Sequence, residues 1–347
     1  ERKFSALKPD YSFTLPSADL EKDVRITQTL QTIKTWILSD DLIALLDIFG
    51  FGSSSRLSVS DDDQSFFTYL SELVSFVDEN WDFRKGSERW DIQDTLDDAS
   101  HTSAIKRVVC SLGMNTETSL DRFSTEKIDY ILPLGGARLS NFTRTECAHE
   151  LSRIHPEASV CALSAKRPLS KIEFPFIEKY AKHPMSEIST EFDAINEALE
   201  VVFGCIDYNE QAEAGLGESD TERQNASHCL RSYKTETPRV FSLSAPSSVP
   251  TVRRANTLDT LKHFQNTFQV ASGSTLAAIT TSIYVPFQTL ILAPFAIENE
   301  LNLYLVGSIH SSLDDASRRD PSAAAYLQEI KAAVDACHIF CKKYAPI

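Results

Sequence analysis

Asp129-Tyr-Ile-Leu-Pro-Leu134-Gly135-Gly136-Ala137-Arg138 is the stretch on which the fold turns. A short apolar run that stops at two glycines reads as a buried strand ending in a tight turn. Glu146 to Ile154 follows with helical spacing, and Ala158-Ser-Val-Cys-Ala-Leu163 is a second apolar run. The same alternation continues downstream. Glu191 to Phe203 reads as a helix, Arg239 to Leu243 as a strand, and Leu258 to Phe268 as a helix. Leu276 to Thr280 is a further strand, Val285 to Leu292 a helix, Leu303 to Val306 a fifth strand, and Ala323 to Tyr344 a closing helix. Strands that alternate with helices predict an α/β fold with a mostly parallel, doubly wound sheet. Asn209 to Asn225, rich in Glu, Gly and Ser, interrupts the pattern and reads as a mobile insertion.

Upstream of position 126 the pattern is helical. Val24, Ile26, Leu30, Ile33, Trp36 and Ile37 recur at helical spacing, as do Phe66, Phe67, Leu70, Leu73, Val74 and Val77. Asp61, Asp62 and Asp63 place negative charge at the start of the second stretch, where a helix dipole favours it. A third stretch runs from Ile92 to Leu112. The expected organisation is a helical N-terminal domain over 1–125 and an α/β domain over 126–347.

Composition narrows the function classes. The chain has 347 residues, 42% hydrophobic and 24% charged, with a formal charge of −15. Those proportions fit a soluble globular protein and exclude a collagen or a disordered chain. The acidic balance disfavours nucleic acid and anionic lipid as partners. No apolar run reaches the ~18 residues of a membrane span. Seven cysteines without a CxxC pair argue against a disulfide scaffold or a structural zinc site, and the expected compartment is the cytoplasm. No metal site is predicted. The histidines form no HxH or HExxH pattern, and there is no GxSxG elbow, GxGxxG fingerprint or Walker loop.

In a parallel sheet, ligands bind beyond the carboxyl ends of the strands. After the first strand, Gly135 and Gly136 allow close backbone approach and are expected to offer their amides, Arg138 and Arg144 offer charge, and Asn141 a side-chain amide. A plain glycine turn with two solvated arginines is the simpler reading of the same residues. Ser164 follows the second strand. Arg254, Asn256 and Thr257 come after the third, and Thr281, Ser282 and Tyr284 after the fourth. Basic and hydroxyl groups gathered at strand ends predict a pocket for an anionic or nucleotide-like small molecule. Glu191 is the candidate acid or base, and both it and Asp193 could instead cap the helix that starts there.

The order of these segments resembles the YdcF/SanA/ElyC-like family of α/β proteins. The likeness rests on Leu134-Gly135-Gly136-Ala137-Arg138, Leu163-Ser164-Ala165, Glu191, Arg254-Ala255-Asn256-Thr257 and Thr280-Thr281-Ser282-Ile283-Tyr284, and spans about residues 129 to 309. Val285 and Gln288 stand where that family carries His and Arg, and Ala165 replaces a glycine. The resemblance implies a Rossmann-like domain and a nucleotide-type ligand, S-adenosylmethionine among the candidates; group transfer is the reaction expected if S-adenosylmethionine binds. Two rival expectations are a non-catalytic interaction protein that works through its acidic helical part, and a metal-dependent phosphoester hydrolase.

Overall fold

A computed structural model describes residues 13–52, 63–86, 88, 92, 96, 99–115, 117–308 and 321–345. Asp61 and Asp62, the expected acidic helix start, lie outside the described residues. Along the chain come four helices, α1 (Lys22–Ile37), α2 (Asp40–Ile48), α3 (Asp63–Trp81) and α4 (Ala99–Ser111). Then follow β1 (Tyr130–Pro133), α5 (Ser140–Ile154), β2 (Ser159–Ser164), α6 (Phe174–Glu178) and α7 (Glu191–Val202). Next are β3 (Tyr208–Glu213), α8 (Asp220–Ala226), β4 (His228–Tyr233), β5 (Val240–Ser244) and α9 (Thr257–Phe268). The chain closes with β6 (Thr275–Thr281), α10 (Val285–Glu298), β7 (Asn302–Ser308) and α11 (Ala323–Tyr344).

These elements sort into two compact units. The first holds Glu1–Thr116, Ser282–Asn299 and Arg319–Ile347; the second holds Glu117–Thr281 and Glu300–Arg318. This division differs from a single boundary near 125. Helices α10 and α11 were expected with the sheet, yet they pack with α1–α4. Leu290, Ala293, Leu327, Ile330, Val334 and Phe340 share one core with Trp36, Leu42, Leu73 and Trp81. The periodicity of a helix shows which of its faces is apolar but not which partner covers it.

Local chemistry explains the helices of this unit. Ser39 caps α2 by accepting the Leu42 amide, while Pro286 sits in the first turn of α10, where its missing N–H costs nothing. Arg25 is buried among apolar side chains because its guanidinium is satisfied by the Pro16 and Ala296 carbonyls, each 3.2 Å away.

The second unit is built on a seven-stranded sheet of order β3-β4-β5-β2-β1-β6-β7. Strands β5, β2, β1, β6 and β7 run parallel, whereas β3 and β4 extend the β5 edge antiparallel. All six residues of β2 are buried. Its sequence therefore reads as one apolar run rather than an alternation, as expected for a strand covered on both faces. On one face, Ala148 and Leu151 of α5 and Ile195 and Leu199 of α7 pack on Ile131, Val160, Ala277 and Val306. On the other face, Phe264 and Phe268 of α9 pack edge-to-face against Tyr130 and Phe241 at ring separations of 5.1–6.4 Å.

The acidic insertion is corrected by this topology. Residues 209–225 form most of β3 and α8 rather than an unstructured loop. β3 is exposed at every position, so it carries no apolar pattern, and its backbone pairing with β4 supplies the order instead.

Candidate functional site

The carboxyl end of the parallel strands gathers most of the predicted residues. Leu134 bridges Leu163 in the parallel sense, and Ser164 lies in register with Ser244 of β5. Behind the Gly135-Gly136 turn, the first turns of α5 carry Asn141 and Arg144, both buried. Arg144 Nη1 donates to the carbonyls of Leu134 (2.8 Å) and Gly135 (2.7 Å), and its Nη2 to Thr281 Oγ1 (3.0 Å). Asn141 closes a reciprocal pair with Gly136: its Oδ1 accepts the Gly136 amide and its Nδ2 donates to the Gly136 carbonyl, both at 3.0 Å.

This bracing corrects one expectation. The Gly135 amide donates to the Leu163 carbonyl at 2.6 Å and the Gly136 amide to Asn141, so neither glycine N–H is offered to a ligand. The amides of Ala137 and Leu139 are the loop's remaining donors. The glycines are required for a different reason. A Cβ on Gly135 would lie 2.4 Å from Glu191 Oε1 and 2.9 Å from Ser164 Cβ, and one on Gly136 would lie 2.8 Å from Ser140 Cβ. The turn is glycine because the site's own side chains press against it.

Glu191 and Asp193 divide the tasks expected of either. Asp193 completes a capping box with Thr190, accepting the Thr190 amide at 2.8 Å while its own amide donates to Thr190 Oγ1 at 3.2 Å. Glu191 instead turns toward the strand ends. Arg167 Nε donates to its Oε2 at 3.0 Å, and the Ala165 amide to its Oε1 at 3.4 Å. Arg167 also grips Glu173 with both Nη atoms, at 2.8 and 2.9 Å, and Glu173 accepts the amides of Ser170 (2.8 Å) and Arg138 (3.2 Å). Burial would raise the Glu173 carboxyl, but the Arg167 and Ser170 hydrogen bonds outweigh it and hold it below the usual carboxylate value. Arg138 adopts a left-handed φ of 54°, lies over the Phe176 ring, and leaves its buried Nε without a partner among the described residues.

Two further groups are unsatisfied. Ser164 Oγ and Ser244 Oγ are buried and have no hydrogen-bond partner among the described residues. They sit side by side at the ends of adjacent strands, where a hydroxyl costs free energy unless something accepts or donates to it. Ser244 is absent from the predicted site residues, and the strand expected to end at Leu243 includes it as its last residue.

The remaining predicted residues are less central. Ala165, Ala245 and Ala255 form a small cluster, which brings the segment before α9 to the ends of β2 and β5. Within that segment Arg254 is exposed and Asn256 caps α9 by accepting the Asp259 amide at 2.9 Å. Thr257 starts the helix, with its carbonyl accepting Thr260 Oγ1. Ser282 and Tyr284 fall in the first unit, where Tyr284 packs against the helical core. That unit has its own hollow of about 340 Å³ lined by Arg84, Phe287, Gln328 and Lys331, but Lys331 is already paired with Asp78 and Asp335. Side chains of metal-ligating type come together in the second unit at His183, from the loop after α6, and Glu197 and Glu200 of α7.

No helix among the described residues is long and apolar enough to cross a membrane. A family model described as the Rv3785 N-terminal domain matches residues 21–113, within the helical unit. No curated protein and no solved structure matches the chain.

Proposed function

We propose that the second unit binds an anionic or nucleotide-like small molecule at the carboxyl ends of β1, β2 and β5. The observation that carries this reading is the pair of buried, unpartnered hydroxyls, Ser164 and Ser244, beside a glycine turn held rigid from behind. A folded protein rarely leaves two adjacent buried hydroxyls unsatisfied without a use for them. Around them, Arg138, Arg144 and Arg167 set three guanidiniums against the two carboxylates of Glu173 and Glu191, a local positive excess in a chain of charge −15. Arg144 and Asn141 shape the turn, and Ala137 and Leu139 amides, Ser164, Ser244 and Arg138 contact the ligand. Glu191 orients Arg167 and walls the pocket beneath Gly135.

The parallel strand order β5-β2-β1-β6-β7, with helices on both faces, supports a Rossmann-like, doubly wound reading of this unit. The meeting of Gly135, Ser164 and Glu191 at one sheet end supports the YdcF-like resemblance, and with it S-adenosylmethionine as a candidate ligand and group transfer as the reaction. The lack of a disulfide among the seven cysteines supports a reducing compartment such as the cytoplasm.

The test is a thermal-shift and calorimetric screen of the full chain with S-adenosylmethionine, nucleotides and sugar phosphates. A ligand that binds only the folded state raises Tm. Ser164→Ala combined with Ser244→Ala should leave the fold intact and weaken that ligand at least tenfold. Tm values insensitive to all three classes would sink the proposal.

A further inference from the structure

Helix α7 begins at Glu191 and, roughly one and a half to two and a half turns later, presents Glu197 and Glu200 one above the other, since residues three apart share a helix face. Opposite them stands His183, from the loop that follows α6. His183 Nδ1 lies 2.6 Å from Glu197 Oε1 and 3.5 Å from Glu200 Oε2, and one ligand atom from each residue falls within 4.8 Å of the others.

The two carboxylates are differently supplied. Glu197 is 5% exposed and accepts the amides of Lys182 (2.9 Å) and His183 (3.2 Å) on Oε2. Glu200 is 8% exposed, yet its carboxylate accepts no hydrogen bond among the described residues. The nearest donor, His183 Nδ1, carries at most one proton and directs it at Glu197, while Lys182 Nζ donates to the Glu200 backbone carbonyl rather than to its side chain. His183, Arg231 and Lys182 bring positive charge toward Glu200, but two carboxylates share this corner, and a buried carboxylate without a direct hydrogen bond still gains from a cation in contact with it.

We propose that His183, Glu197 and Glu200 form a binding site for a divalent transition-metal ion of the zinc class. An imidazole nitrogen with two carboxylate oxygens suits Zn²⁺ or Mn²⁺ better than Ca²⁺ or Mg²⁺, which favour oxygen-only shells. The ion takes the place of the proton between His183 and Glu197. For bonds of about 2.0–2.2 Å in a tetrahedral site, the ligand atoms stand roughly 3.3 Å apart. His183 must therefore withdraw slightly from Glu197, and its side chain, 47% exposed, has room to do so. The exposed side leaves the fourth position to water. Its distance along α7 from Glu191 makes the ion a clamp that fastens the His183 loop to α7, independent of the strand-end pocket.

The experiment uses the full chain, stripped with EDTA and titrated with Zn²⁺ against a chromogenic chelator, with Co²⁺ as a spectroscopic probe. One equivalent of Zn²⁺ should bind and raise Tm, and Co²⁺ should give nitrogen–oxygen ligand-field bands without a thiolate charge-transfer band. Glu200→Gln removes a buried charge and should fold at least as well, yet bind Zn²⁺ at least tenfold more weakly; His183→Gln should do the same. The proposal is overturned if the wild type takes up no equivalent, if both variants bind like the wild type, or if the Co²⁺ spectrum shows thiolate ligation.

Discussion

Arg167 and Glu173 form a two-pronged ion pair in which Nη1 meets Oε2 at 2.8 Å and Nη2 meets Oε1 at 2.9 Å, with side-chain exposures of 5% and 0%. The pair ties the segment after β2 to the start of α6. Through Arg167 Nε it holds Glu191, and through the Arg138 amide it holds the glycine turn. One buried fork thus connects the segment after β2, the starts of α6 and α7, and the glycine turn.

Breaking the fork should be expensive. Glu173→Gln removes the carboxylate that the buried Arg167 guanidinium grips with both Nη atoms and weakens the acceptor for two amides. Losing one partner of a buried pair costs about 3–5 kcal/mol. The expected result in denaturant melts is a loss of that order with little change in slope. A loss below about 1 kcal/mol, the level of an exposed pair, would show the fork to be solvated.

The same pair predicts an acid-side dependence of stability. Glu173 is held below its usual value near 4.5, and Asp259 below 3.8, because the hydrogen bonds from Arg167 and Arg253 overcome the opposing effect of burial. A carboxyl whose folded value is depressed stabilises the fold above its unfolded value and loses that contribution as pH falls through the folded one. The Tm gap between wild type and Glu173→Gln should therefore be constant from pH 7 to about 5.5 and narrow below about 4.5. A gap that widened on acidification would reverse the assigned sign.

The five parallel strands were legible because each is a short apolar run bounded by polar or glycine residues, and their carboxyl ends pointed to Gly135, Ser164 and Thr281. Other features had no local signature. β3, Tyr-Asn-Glu-Gln-Ala-Glu, is exposed throughout and is a strand only because β4 pairs with it. Glu173 lies in an unremarkable loop, and its importance arises from a partner six residues earlier that turns back around Pro168. Ser282 and Tyr284 come directly after Thr281, the last residue of β6, but the chain passes there into the other unit, a change that sequence spacing does not record.

Asn196 offers a second buried polar centre whose cost can be measured. Its Oδ1 accepts Tyr233 OH at 2.7 Å and Ser242 Oγ at 2.6 Å, and its Nδ2 donates to the Phe192 carbonyl at 2.6 Å. The three residues join α7 to β4 and β5. Asn196→Leu strands both hydroxyls in the interior, at about 1–3 kcal/mol for each unsatisfied group. Adding Tyr233→Phe and Ser242→Ala to Asn196→Leu should recover much of that loss, because the unmatched groups go with them. If each further substitution only deepened the loss, packing rather than hydrogen bonding would be what Asn196 supplies.

Gly135 tests whether the turn is glycine for the sake of its neighbours. A methyl there meets Glu191 Oε1 at 2.4 Å, inside any tolerable contact, and Ser164 Cβ at 2.9 Å. The turn cannot retreat easily, since Arg144 holds the Gly135 carbonyl and Leu163 the Gly135 amide. Overpacking of this kind costs about 1–3 kcal/mol. Gly135→Ala should accordingly lower Tm, and Glu191→Ala in the same chain should relieve the nearest clash and restore part of the loss, even though Glu191→Ala alone also destabilises by releasing Arg167. The double-mutant cycle therefore carries a positive coupling. Strict additivity would mean that Glu191 does not press on the turn and that the Ser164 contact is what keeps Gly135 a glycine.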